Sequence, residues 1–489
     1  MTTLPRRLTL SLSVGLALSA PFAHAATVND AVESTIAHNP EVLQKLHEFR
    51  STEHDTDVGR ADFYPSVDLS YQSNRQKYDY SSESGIVPQH YTTRGWTASV
   101  TQNLFQGLQT VNQVRQLDAD SQARYFSVLD TSESLALQAV QAYQDVLLYR
   151  QLVQIAKNNY AIHKGILGQI VERVRAGVGR RVDLEQAAGR LALAETNLIT
   201  DNTNLQDVTA RYTRITGSAP PDDMATVPDM TATMPTEDAL MRTAVYHNPS
   251  YLGAIATLHS AQAEVDVRRG AFAPTVNLQL SKAPTDNYDG YAGRTNISSA
   301  AVIFAVNLFR GGADKARLGS AAEKRNAAFD LRDQACRNLR QNISQAWDSV
   351  LKYKAQMTSL LQHQLSTEKA RNAYRKQFDI GQRTLLDVLD SENELFSAQR
   401  DYLIAQSAYA TAQATVLSDG GLLLSALKLQ PLDDAMPGKA ATAADIDACA
   451  SDFHTPAMVD VRTIPARLIT SDELDDTLPS NVPTVPLPR

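Results

Sequence analysis

Apolar and polar residues alternate in four stretches of the chain. Val67, Leu69 and Tyr71 alternate with Ser66, Asp68 and Ser70, and Trp96, Ala98, Val100 and Leu104 with Thr97, Ser99, Thr101 and Asn103. Val276, Leu278 and Leu280 stand against Asn277, Gln279 and Ser281, and residues 297–308 form a fourth, less regular stretch. Period two predicts strands with one apolar and one polar face, as in a barrel wall between lipid and water or in a soluble antiparallel sheet. Residues 78–91 and 284–294, rich in Tyr, Ser, Asp and Gly, read as the loops between paired strands.

Elsewhere the period is helical. Residues 28–60 and 236–269 read as helices that end before Pro65 and Pro274, where proline breaks the helix. Residues 107–177 and 312–381 contain no proline and carry apolar residues at spacings of three and four, such as Leu339, Ile343, Ala346 and Val350. About 70 helical residues make a rod of roughly 100 Å. Ala, Gln, Asn and Ser fill the rest, leaving a narrow stripe suited to coiled-coil contacts. Each rod turns back near Gly177 or Gly381 and returns as a second helix over 183–216 or 385–427.

The two halves are copies. His38-Asn39-Pro40 matches His247-Asn248-Pro249, and Pro65-Ser66-Val67 matches Pro274-Thr275-Val276, both 209 positions apart. Asn103-Leu104-Phe105-x-Gly107 matches Asn307-Leu308-Phe309-x-Gly311, and Gly177 and Asp183 match Gly381 and Asp387, all 204 apart. Matched anchors in one order mean a duplicated unit. Domain boundaries follow: a first repeat over 26–216, a proline-containing linker over 217–235, a second repeat over 236–430, and a proline-rich tail over 431–489 that reads as disordered.

Arg6 and Arg7, an apolar run over 8–20 and Ala23-His24-Ala25 form a secretory signal peptide, residues 1–25. An exported chain without a spanning helix is either soluble or a β-barrel. A net charge of −8 argues against a nucleic-acid partner. Cys336 and Cys449, one in a helical stretch and one in the tail, suggest neither a disulfide framework nor a metal site. The ten histidines show no ligand spacing, and no catalytic or phosphate-binding motif is present. The expectation is therefore no enzyme, no cofactor and no metal.

Four strands cannot span a membrane alone, because the sheet's edges would lie unpaired in lipid. The barrel has to close by oligomerisation, and three chains give twelve strands. The duplicated layout, the paired NLFxG elements and the run FDIGQRTLLDVLD over 378–390 resemble the TolC family of trimeric outer-membrane channel-tunnels. The resemblance covers about residues 26–428. The longer run FDIGQRTLLDVLDSENELF looks most like the branch serving type I secretion, including agglutination and adhesin export.

The implied fold is mainly α with a transmembrane β-barrel: a duplicated strand-strand-helical-hairpin unit whose trimer makes a twelve-stranded barrel continued by a periplasmic helical tunnel. The implied partners are two further copies, outer-membrane lipid, a periplasmic adaptor and an inner-membrane ABC or proton-driven transporter. Asp387 and Asp390, three apart on one helical face, match the aspartates that ring the periplasmic entrance in that family. Arg383 and Asp183 match its latch partners, although Phe378 and Val182 lack the hydroxyls found there. Gly177 and Gly381 permit positive φ at the hairpin turns that dock the adaptor. Trp96 suits an interfacial aromatic belt. Multidrug efflux, and a non-conducting periplasmic coiled coil, are the competing functions.

Overall fold

The computed structural model describes residues 25–82, 85–433, 437, 441–449, 459 and 461–465; residues 1–24 of the expected signal peptide lie outside them. Two compact units divide the chain at Ala450. The second, Ser451–Arg489, has a 3-10 turn at Val461–Thr463 as its described element. Everything below concerns the first.

Each repeat begins with two helices where the sequence pattern suggests one: α1 (Val28–His38) and α2 (Pro40–Ala61), then α5 (Glu237–His247) and α6 (Pro249–Gly270). The break follows from Asn39-Pro40 and Asn248-Pro249. Each Asn ends one helix in extended backbone, and its side chain caps the next, where Pro takes the first position. The long helices are α3 (Gln109–Arg175) and α7 (Ala313–Asp379), 67 residues each. They return as α4 (Arg181–Thr216) and α8 (Leu385–Asp419). The short α9 (Leu423–Ala426) follows, starting a turn after α8 ends rather than continuing it.

The strands β1 (Ser66–Ser82), β2 (Gly85–Gln106), β3 (Thr275–Asp286) and β4 (Arg294–Ala305) form one antiparallel sheet in chain order. The first hairpin is longer than the composition of 78–91 suggests: Tyr78 pairs with Gln89 and Ser82 with Gly85, so most of that segment is ladder rather than loop. In the second hairpin β3 runs on to Asp286 before a 3-10 turn, and β4 starts at Arg294 and stops at Ala305, three residues earlier than the alternation suggests.

The duplication is visible in the register. Ser66 pairs with Thr101 and Val67 with Val100; at the equivalent places Thr275 pairs with Ala305 and Val276 with Phe304. Where β2 meets β3, the repeats also touch backbone to backbone. A Cβ on Gly107 would lie 2.5 Å from the Gly270 carbonyl oxygen, and one on Gly270 would lie 2.6 Å from that of Gly107.

The core lies where helices of both repeats cross. Val140, Tyr143 and Val146 of α3 pack with Val32, Tyr212, Ile215, Leu417 and Leu423. Leu339, Ile343, Ala346 and Val350 of α7 pack with Leu240, Tyr251, Ile255 and Val416. Leu339, Ile343, Ala346 and Val350 are stripe positions read from the sequence.

The tail needs a correction. Beyond Pro431 the chain is not uniformly without structure: α10 (Ala443–Asp447) starts at a Thr442/Asp445 capping box, and Ile446 and Cys449 are buried in the α7 core cluster. Cys449 forms a disulfide with Cys336, 113 residues away. Cysteine spacing missed this pairing because the fold, not the sequence, brings α10 onto α6 and α7. The Tyr251 hydroxyl donates to the Asp445 and Ile446 carbonyls (3.2 and 3.3 Å), and the His259 ring lies 3.2 Å from the Asp445 carboxylate. Upstream, Asp433 pairs with Arg50, which stands at the position in α2 that His259 holds in α6. The segment thus crosses equivalent points of both repeats. Cys336→Ser is expected to destabilise the chain by about 2–4 kcal/mol, as removal of a link closing a long loop does, and to admit trypsin at Arg337 and Arg340. Proteolysis of oxidised and variant protein checks this.

Candidate functional site

Two regions bear on function: the sheet and the turned ends of the helical hairpins. In the sheet, Val67, Val100, Leu280 and Ala300 form one row across all four strands, and Leu278 and Val302 join the same face. The opposite face carries Asp68, Ser99, Ser281 and Ser299, with the two last hydroxyls 2.7 Å apart. On the apolar face Val67, Leu69 and Tyr71 are 70–76% exposed. Trp96 lies opposite Tyr71 on that face and is partly exposed. Tyr64, Phe105, Phe272 and Phe309 are exposed at the four junctions between strands and helices. A sheet of this size with an open apolar face has the makings of a lipid-facing wall. Among the described residues no helix is long and apolar enough to cross a membrane.

At the other end, Gly177 (φ +76°) and Gly381 (φ +80°) adopt the left-handed conformation just after α3 and α7. An added Cβ on either meets nothing within 4 Å, so backbone conformation alone selects glycine there. Beneath the turns, Ile166, Ile170 and Ala187 of the first hairpin pack against Leu385, Val388 and Leu389 of the second. Phe378 joins this cluster and lies under the Arg173 guanidinium, 5.0 Å from its ring centroid. It therefore packs the hairpin apolarly, without a hydroxyl. Val178, Val182 and Ile380 are exposed at the tips.

The four charged residues singled out in the sequence lie close to these tips, with partners that spacing did not reveal. Asp387 closes a capping box at the start of α8, accepting from the Thr384 N–H (3.0 Å) and hydroxyl (2.8 Å). These bonds and the nearby Arg383 hold its carboxyl below the usual range. Arg383 donates to Gln377 (3.0 Å), stacks 4.5 Å from the Tyr374 centroid and approaches Asp387 at 3.8 Å. Asp183 pairs with Arg180 at 3.4 Å. Within the chain, then, Asp183 and Arg383 each have other partners. Asp390 accepts from Arg190 of α4 at 2.5 Å.

That last contact begins a ladder the sequence did not suggest. Arg400 of α8 makes a bidentate pair with Asp201 of α4, whose side chain is 2% exposed. Glu392 of α8 is equally buried and lies 3.5 and 3.4 Å from Arg371 and Arg375 of α7. Burial pushes the Glu392 carboxyl up, while the two arginines pull it back toward ionisation. Residues 199 to 200 positions apart carry no spacing signal; only charge of opposite sign facing a seam hints at them. Removing one partner of a buried pair strands the other charge. Arg400→Ala should therefore cost about 3 kcal/mol, and Asp201→Asn with Arg400→Met should restore much of it. Thermal unfolding of the single and double variants measures both.

An amphipathic sheet carrying two long helical hairpins defines a subunit of a membrane channel with a helical extension. The chain belongs to the outer membrane efflux protein family, whose sequence profile matches residues 31–218 and 240–418. It is 24% identical to the outer membrane efflux protein BepC of Brucella suis over 83% of this chain and 89% of that one. It is 23% identical to the alkaline protease secretion protein AprF of Pseudomonas aeruginosa, over 86% and 90% respectively. Its fold matches the Campylobacter jejuni CmeC outer membrane channel with a TM-score of 0.75 at 15% identity, over 83% of this chain and 87% of that one. The fold is that of the TolC-like outer membrane channels.

Proposed function

We propose that three copies of this chain close a twelve-stranded barrel and form a passive exit duct, fed by an inner-membrane transporter through a periplasmic adaptor. The observation that carries this reading is the unequal length of two equivalent strands. β2 continues to Gln106, but β4 ends at Ala305, although by the repeat offset its counterpart position is 310. The reason lies in the neighbours: β2 has β3 along its far edge, whereas β4 ends the sheet. Residues 306–309 are exposed, with Leu308 at 89%. Gly311, the counterpart of Gly107, has open space where Gly107 meets Gly270.

A second copy supplies the missing edge. Carrying the β2–β3 register over by the repeat offsets sets Phe304 beside Tyr71 and Ala305 beside Ser70 of the next chain, with Gly311 over its Ala61. Because this contact is head to tail, it generates a ring that closes when the rotation allows. It also removes the two edges that lipid would leave unsatisfied. With Ser70→Cys and Ala305→Cys in one chain, oxidation should yield covalent trimers. Covalent dimers as the end product, or monomers only, would exclude this closure.

The hairpin ends act as gate and docking site. Gly177 and Gly381 form the adaptor-facing turns, with Val178 and Ile380 as the apolar contacts. Asp387, Asp390, Arg383 and Asp183 hold the closed entrance, the carboxylates at the bore and Arg383 toward a neighbouring hairpin. The resemblance of residues 378–396 to the type I secretion branch, with a protease secretion protein among the relatives, favours protein export over small-molecule efflux. In planar bilayers the wild-type protein should conduct poorly, and Arg383→Ser should raise baseline conductance by a factor below about ten, because an exposed pair is worth about 1 kcal/mol or less. High salt should reproduce the effect. A protein that forms no conducting unit in any condition is a structural coiled coil.

A further inference from the structure

The carboxylate in the middle of α3 plays no part in gate or wall. Glu133 is 7% exposed, and the position equivalent to it in the second repeat is Arg337, so the duplicated scaffold does not demand an acid there. Its Oε1 accepts from the backbone N–H of Leu424 in α9 at 3.4 Å, while Oε2 is buried without a hydrogen-bond partner. The Ser418 hydroxyl at the end of α8 donates to the Glu133 carbonyl, also at 3.4 Å. Glu133 thus joins the first repeat to the point where the second repeat runs out into its C-terminal segment. A cavity of about 460 Å³ opens beside it, lined by Leu129, His247, Pro249, Leu424, Lys428 and Pro431 among others.

We propose that Glu133 is a proton-sensitive seat for α9 and the segment that follows: protonated, it holds α9 against α3; ionised, it releases it. An ionised carboxylate in this place has one buried oxygen with no protein donor, a cost that local opening removes by admitting solvent. The protonated form carries no such charge. Among the described residues no neighbouring group forms an ion pair with it. Asp130, one turn earlier on α3, repels a second negative charge. His247 at the end of α5 and Lys428 beyond α9 line the cavity wall but make no ion pair with Glu133. Asp419 at the end of α8 is itself an acid that burial pushes up to about 6.

For Glu133, burial is the largest influence, outweighing the Leu424 and Leu423 N–H groups, and pushes the carboxyl up to about 7 from 4.5. The folded value is raised, so the contribution to stability is complete below about pH 4.5 and is lost as pH rises through about 7.

Hydrogen exchange of the purified full-length protein in detergent, corrected for intrinsic rates, tests the proposal between about pH 4 and 9. Protection of the amides at 422–427 should be greatest below about pH 4.5, fall by up to about tenfold per unit as pH rises from there to about 7, the slope for one linked proton, and level off above. The amides at 443–449, held by the disulfide, should not follow. Glu133→Gln, and Glu133→Met as a second neutral replacement of similar length, should abolish the fall, while Asp419→Asn should leave it in place. A wild-type profile that coincides with both Glu133 variants, a fall that disappears only in Asp419→Asn, or loss of protection along all helices together would overturn it.

Discussion

The requirement that every backbone N–H and C=O in a lipid environment find a partner governs this molecule. The four-stranded sheet satisfies its interior ladders but leaves β1 and β4 with one free edge each. In the proposed trimer, duplication turns that deficit into a rule of assembly: the contact joining the repeats inside the chain is the template for the contact between chains. Gly107 against Gly270 shows how closely such a joint packs, and the proposed trimer sets Gly311 at the equivalent joint between chains. The early end of β4 follows from the same shortage, since a strand without a neighbour has no ladder to extend.

The helical part solves a different problem. Rods of 67 residues with small side chains give a narrow seam, so apolar burial per turn is modest and register along the seam is weakly specified. Buried ion pairs supply that specification. Glu392 between Arg371 and Arg375 fixes α8 on α7, and Asp201 with Arg400 fixes α8 on α4. Desolvation makes such pairs poor sources of net stability, but a seam slipped by one turn would leave several charges buried alone. α8 is the helix on which these contacts converge, and it carries both Asp387 and Asp390. In the proposed gate, α8 is therefore coupled to both neighbouring helices through charge.

The C-terminal segment adds a third kind of constraint. Its start rests on α3 through Glu133 and Leu424, and the chain just after α10 is bonded covalently to α7 through Cys449 and Cys336. One end can respond to its surroundings while the other stays fixed. In an exported protein the disulfide persists, because it forms in an oxidising compartment and Cys449 is buried.

The sequence by itself determined the duplication, the two rods, the four strands and the positive-φ turns at Gly177 and Gly381. Each is a local or periodic property: proline-free length, alternation with period two, or a glycine at a helix end. It also placed Asp183, Arg383, Asp387 and Asp390 near the hairpin ends, since turn position is local. The tertiary structure alone decided the distant partner, because Asp387 with Thr384 is a local capping box but Asp390 with Arg190 spans 200 residues. The same holds for Arg400 with Asp201, Glu392 with its two arginines, Cys336 with Cys449, and the orphaned oxygen of Glu133. Burial and charge pairing depend on which helix faces which, and periodicity fixes the face of a helix without naming what lies across from it.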